Sequence, residues 1–128
     1  MDPLFLQAAD VLRLHRQQIE RFGGRPEIRD VGLLQSAIAQ PQATFGGKFL
    51  LADIYEMAAA YLFHISSNHP FVDGNKRTAV ASAAVFLATN GYRIIANESE
   101  FEVLVMSVAR GESQKPKIAQ FFRDNVEV

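Results

Sequence analysis

The sequence predicts an all-α protein, a compact bundle of about six helices. Three observations carry that prediction. Apolar residues recur at i, i+3, i+4 spacing through most of the chain, the period of a helix with one buried face. Glycine, proline, asparagine or aspartate punctuates these stretches where helices would start or stop. One stretch, residues 75–90, is apolar nearly all round, as the central helix of a bundle would be.

Residues 4–22 form the first predicted helix, with Leu4, Ala8, Val11, Leu12, Ile19 and Phe22 in phase and Gly23-Gly24 as its stop. Asp30 is the expected N-cap of a short second helix bearing Leu33, Leu34, Ala37 and Ile38, which Pro41 closes. Residues 41–48 contain Pro41 and Gly46-Gly47 and little periodicity, so they read as an exposed loop or small hairpin. The third helix, residues 50–68, carries Leu51, Ile54, Ala58, Tyr61 and Ile65 on one face. The fourth spans residues 75–90 with Ala79, Val80, Ala83, Ala84, Phe86 and Leu87, and Gly91 ends it. Residues 92–96 are a short extended piece. Asn97-Glu98-Ser99-Glu100 resembles a capping box opening a fifth helix (Phe101, Leu104, Val105, Val108), which Gly111 closes. A sixth runs over about residues 113–125, with Pro116 near its start and Ile118, Phe121 and Phe122 inward. No repeat, low-complexity tract or dividing linker interrupts the series, so residues 1–128 are expected to form one domain.

Composition narrows the function without naming it. Thirteen basic and fourteen acidic side chains leave a formal charge of −1, which does not favour bulk electrostatic binding to nucleic acid or anionic membranes. With no cysteine there is neither a disulfide framework nor a thiolate zinc site, and a reducing compartment fits. Met1-Asp2-Pro3 does not open a secretory signal, and no apolar run approaches the ~18 residues of a membrane span. A cytoplasmic protein without direct nucleic-acid or membrane binding is the expectation.

Chemistry concentrates in His69-Pro70-Phe71-Val72-Asp73-Gly74-Asn75-Lys76-Arg77-Thr78, between the third and fourth helices. From Asp73 the chain should turn tightly into a helix N-terminus, whose free N–H groups and partial positive charge bind anions. Lys76 and Arg77 in that first turn oppose the helix dipole, a penalty that an anion, a phosphate above all, would reverse. Each residue has a plainer role available. His69 continues the apolar stripe of the third helix and would serve as a core histidine. Asp73 would serve as an N-cap, Gly74-Asn75 as a turn, and Lys76 and Arg77 as a solvated pair. Their coincidence within nine positions favours a site. His15, on the apolar face of the first helix, reads as a core or supporting histidine, His64 as structural, and Phe71 as the loop's anchor in the core.

The ten-residue segment resembles the motif of the Fic/Doc family, His-Pro-Phe-x-Asp/Glu-Gly-Asn-Gly-Arg-x-x-Arg, and in particular its Doc (death on curing) branch. Lys76 stands where the general motif has its second glycine, and Val80 where it has its second arginine. The Asn-Lys-Arg-Thr form is the Doc-like one. Leu14-His15, Phe22-Gly23-Gly24, Leu33-Leu34 with Ser36-Ala37-Ile38, Pro41-Gln42-Ala43-Thr44-Phe45, Phe86-Leu87 and Asn90-Gly91 extend the likeness over nearly the whole chain.

The resemblance implies an ATP- and Mg²⁺-dependent transferase acting on a protein hydroxyl. His69 would be the general base, a task suited to imidazoles, which exchange a proton near neutrality. Asp73 would hold Mg²⁺. Gly74, Asn75, Lys76 and Arg77 would bind and neutralise the phosphates. Family members with the second arginine usually transfer AMP. Val80 cannot grip the triphosphate that way, and Lys76 adds charge and bulk, so the γ-phosphate would face His69. That makes a kinase the expectation, and Doc proteins are similar: they phosphorylate a threonine of elongation factor EF-Tu and arrest translation. Residues 41–48 fall where the family carries a flap that aligns the target peptide.

Many Fic proteins inhibit themselves through Ser/Thr-x-x-x-Glu-Gly/Asn. None of Glu20, Glu27, Glu56, Glu98, Glu100, Glu102, Glu112 and Glu127 has Ser or Thr four residues earlier, so a toxin of this kind would need an antitoxin in trans. The competing readings are a nucleotidyl transferase on the same fold, a non-catalytic or repressor-like binding module that keeps the loop, and a metal-dependent hydrolase.

Overall fold

The computed structural model describes residues 2–128. In chain order the helices are α1 (Ala8–Phe22), α2 (Val31–Ala39), α3 (Ile54–Asn68), α4 (Asn75–Thr89), α5 (Glu98–Ala109) and α6 (Lys115–Asn125). Two small antiparallel pairs accompany them. β1 (Thr44–Phe45) pairs with β2 (Lys48–Phe49), and β3 (Arg93–Ile94) pairs with β4 (Val126–Glu127). The all-α bundle is therefore observed, with the conspicuous loop between the third and fourth helices.

The α3–α4 pair is the spine of the fold. Small residues let the two helices approach: Ala58, Ala59 and Ala60 on α3 and Ala79 and Ala83 on α4 are all buried. Larger side chains then close the layers around them. Leu34, Ala37 and Ile38 of α2 and Ile118, Ala119 and Phe122 of α6 join the same core, packing on α3, while α1 packs against α4 through a face that includes Val11. Among the described residues no helix is long and apolar enough to cross a membrane.

Three helix starts differ from expectation, the first two because a side chain competes for the backbone. The first helix starts at Ala8, not at residue 4. The Asn90 amide pairs with both the N–H and the carbonyl of Leu4, and the Tyr61 hydroxyl takes the Leu6 N–H at 2.9 Å, so this segment stays out of the helix. Burial pushes the Tyr61 phenol up to about 12, so it remains a neutral hydroxyl. The third helix starts at Ile54 because Asp53 caps it, accepting the Glu56 N–H at 2.9 Å. Leu50 and Leu51 lie outside it, and the Leu50 N–H returns to the Ala43 carbonyl beside the hairpin. The sixth helix starts at Lys115, after Gln114 as N-cap, and the Ser113 hydroxyl before it turns inward onto Ser107.

Other features follow the sequence closely. Asp30 caps α2 through the Leu33 N–H, and Asn97 caps α5 through those of Ser99 and Glu100. α2 ends at Ala39, and Pro41 sits in the single 3₁₀ turn Gln40–Gln42 beyond it. Residues 41–48 resolve into that turn and the hairpin, whose Gly46-Gly47 corner has φ of 59° and 79°. The extended piece at 92–96 finds its partner in the last residues of the chain.

Candidate active site

The segment between α3 and α4 is built as a braced loop. α3 ends at Asn68, and His69 adopts the left-handed conformation (φ 48°, ψ 57°), the one non-glycine residue with positive φ among the described residues. That turn takes His69 off the apolar stripe of α3 and leaves it exposed, so it is not a core histidine. Pro70 and Phe71 then run antiparallel to residues 27–30. The N–H groups of Arg29 and Asp30 donate to the Pro70 carbonyl at 2.7 and 3.0 Å, and that of Val72 to the Glu27 carbonyl at 3.1 Å. Ile28 faces Phe71 across this bridge.

Phe71 is the anchor expected of it. It is fully buried, and its ring stacks on His15 with centroids 3.7 Å apart. The Asn75 amide clasps the same residue, accepting the Phe71 N–H and donating to the Phe71 carbonyl, each at 2.9 Å. Asn75 thus holds the loop's shape with its Oδ1 and one N–H, and its second N–H is left for another acceptor.

Asp73 is exposed and fixed at two points, one from α1 and one from the segment that follows it. Its carbonyl accepts from the His15 Nε2 at 2.8 Å, and its Oδ2 accepts from the Arg25 N–H at 2.7 Å. It does not cap α4. Gly74 is the N-cap, at φ 81°, and offers no side-chain acceptor, so the first-turn N–H groups stay open. A side chain at Gly74 would also crowd the Ile19 Cδ1 at 3.3 Å. The glycine therefore serves both the left-handed turn and the close approach to α1.

Beside this loop lies a cleft of about 760 Å³ between α1, α4 and α5. Gly74, Asn75, Lys76, Arg77 and Val80 line it from α4, whereas His69 and Asp73 stand outside its lining. Neither Lys76 nor Arg77 has a carboxylate partner among the described residues. The Lys76 Nζ lies 3.7 Å from the Met106 Sδ, and the Arg77 guanidinium 4.1 Å from the centre of the Phe22 ring. Both cations thus rest on apolar or soft partners at an open helix N-terminus, an arrangement that binds an anion readily.

Among the described residues no group of three or more histidine or acidic side chains could cage a metal. Asp73 nonetheless suits Mg²⁺ carried on a polyphosphate, because that mode needs only one or two carboxylates besides phosphate oxygens and water. With Oδ2 committed to Arg25, Oδ1 is the oxygen free for it.

The supporting side chains were the less visible ones. His15 plays the supporting part its position suggested. Arg29 was missed, although it donates to the carbonyls of His69 and Asn68 at 2.6 and 2.9 Å. So were the Arg25 N–H and the Ile19 side chain. Their hydrogen-bonding and packing roles depend on contacts across the fold that carry no local motif. His64 is structural as expected: it is partly buried, with Lys115 Nζ 3.1 Å from its Nε2, and burial and that neighbouring charge push it down to about 4.

Residues 5–87 match the profile of the Fic/DOC family. The chain is 47% identical over 76 residues to a protein named Toxin Doc from Mycolicibacterium smegmatis, a match covering 59% of this chain and 58% of that one. It is 33% identical over 114 residues to one named Protein kinase doc from Escherichia phage P1, covering 89% of each. With the braced loop and its helix N-terminus in place, these matches establish that the chain belongs to the Fic/Doc family, in its Doc branch.

Proposed function

We propose that this protein is a Doc-type toxin: a Ser/Thr protein kinase that moves the γ-phosphoryl group of ATP to a threonine of elongation factor EF-Tu and so arrests translation. The observation that carries this reading is the pairing of an exposed His69 with an open α4 N-terminus bearing two unneutralised cations. A relative named a toxin and another named a protein kinase support it.

In this mechanism the triphosphate lies at the start of α4. Its oxygens accept from the open N–H groups and the free Asn75 N–H, while Lys76 and Arg77 leave Met106 and Phe22 to neutralise it. Gly74 keeps the backbone close to the phosphates. Asp73 would hold Mg²⁺, which would supply charge neutralisation to the phosphates. His69 takes the proton from the threonine hydroxyl, whose oxygen bonds to the γ-phosphorus as the bond to the departing ADP breaks. Val80 lines the cleft where AMP-transferring relatives would have an arginine, which favours presentation of the γ-phosphate. The exposed β1–β2 hairpin, with Phe45 at its corner, offers backbone for pairing with the target peptide. Silencing falls to a cognate antitoxin in trans, and the protein acts in the cytoplasm.

The test is transfer to purified EF-Tu from ATP labelled in its γ-phosphate or, separately, in its α-phosphate. Label arriving from the γ-position alone supports the kinase; label from the α-position makes it a nucleotidyl transferase.

A further inference from the structure

We infer that Arg29 is a positioning residue for His69, holding it in the left-handed turn that presents its ring; this rests on the transferase reading above. A helix end leaves its last carbonyls without partners, and the last turn of α3 contains no basic residue to serve them. Arg29 reaches in from the segment after α1. Its Nε donates to the His69 carbonyl at 2.6 Å and a terminal nitrogen to the Asn68 carbonyl at 2.9 Å. Two successive carbonyls are thus read by one planar fork, a geometry lysine cannot reproduce. The guanidinium also lies at the negative end of the α3 dipole.

The other end of Arg29 is fixed as well, since its own N–H donates to the Pro70 carbonyl at 2.7 Å. It forms no ion pair with a carboxylate among the described residues, so the fork is committed to the helix end. The conformation it holds needs holding. A non-glycine residue at φ 48° is disfavoured on the order of tenfold, and His69 is the one such residue described. The clamp uses the His69 main chain and leaves the imidazole free for chemistry. Release of the clamp lets φ relax, which swings the ring away from the start of α4.

The experiment compares wild type, Arg29→Lys and Arg29→Met. For Arg29→Met, kcat for phosphoryl transfer should fall by about tenfold while KM for ATP and nucleotide affinity hold. Arg29→Lys should resemble Arg29→Met more than wild type, because it keeps the charge and loses the fork. The φ-sensitive NMR coupling of His69 gives a second readout that needs no turnover. It should report the left-handed conformation in wild type and its loss in Arg29→Met. A wild type without phosphoryl transfer would remove the kinase reading, and the coupling would still decide the clamp. A melting temperature that falls while kcat and the His69 coupling stay put would make Arg29 a helix cap alone and overturn the inference.

Discussion

The Nε2 of His15 lies 2.8 Å from the main-chain carbonyl of Asp73. A carbonyl can only accept, so Nε2 carries the hydrogen. The same ring stacks face to face on Phe71, two residues earlier in the loop than Asp73. One buried side chain of α1 therefore sets both the depth of the loop and the direction of its acidic residue.

Separating those two roles gives a first prediction. His15→Phe keeps an aromatic face for Phe71 and loses the donor, whereas His15→Gln keeps a donor and loses the face. His15→Phe should cost about 1–2 kcal/mol in urea unfolding and lower Mg²⁺-dependent activity, with His15→Gln retaining more of that activity. Equal activity in the two variants would mean that the hydrogen bond does not orient Asp73.

Gly24 is the other face of the same support. It sits at φ 115°, and a Cβ there would lie 3.0 Å from the Asp73 Cβ. Gly24→Ala should destabilise the fold by about 1–3 kcal/mol and push Asp73 off the Arg25 N–H. Gly111→Ala, at a positive φ with open space around it, is the control. Its Asp73-dependent activity should match wild type, and a loss there as large as in Gly24→Ala would refute the specific role.

Much of this support lies beyond local pattern. The helical period located all six helices, and Asp30 and Asn97 announced their caps because capping is read within four residues. The 69–78 segment was legible as a site because cations at a helix start conflict with the dipole. The roles of Arg29, Arg25 and Ile19 were not, since each acts on a segment 39 or more residues away in the chain. The start of α1 shifted for the same reason: Asn90 and Tyr61 hold residues 4–6 out of the helix.

Acid should weaken the fold through His64. Burial and the Lys115 charge push its imidazole down to about 4, from an ordinary value of 6.5. Between those values the unfolded chain binds the proton and the folded one does not, so stability rises with pH. The contribution is complete above the ordinary value and is lost as pH falls toward about 4. Its size is on the order of 2 kcal/mol. Melting curves across that range should flatten in His64→Gln, and an unchanged slope would assign the acid sensitivity elsewhere.

Lys76 and Val80 are four residues apart on one face of α4, and both line the cleft. A guanidinium at position 80 would therefore enter the same space that Lys76 occupies. Lys76→Gly combined with Val80→Arg should lower γ-phosphoryl transfer by roughly tenfold or more and bring in AMP transfer, as read by the label on the target protein. Persistence of pure phosphoryl transfer would show that neither position sets the orientation of the triphosphate.

In the proposed reaction His69 activates a hydroxyl of EF-Tu toward the γ-phosphate of ATP. Intact-mass spectrometry of EF-Tu after incubation with this protein, ATP and Mg²⁺, beside a His69→Ala control, tests it most directly. EF-Tu should gain one phosphoryl group with the wild type and none with the control. An AMP-sized gain, or a phosphoryl gain that survives the loss of His69, would contradict it.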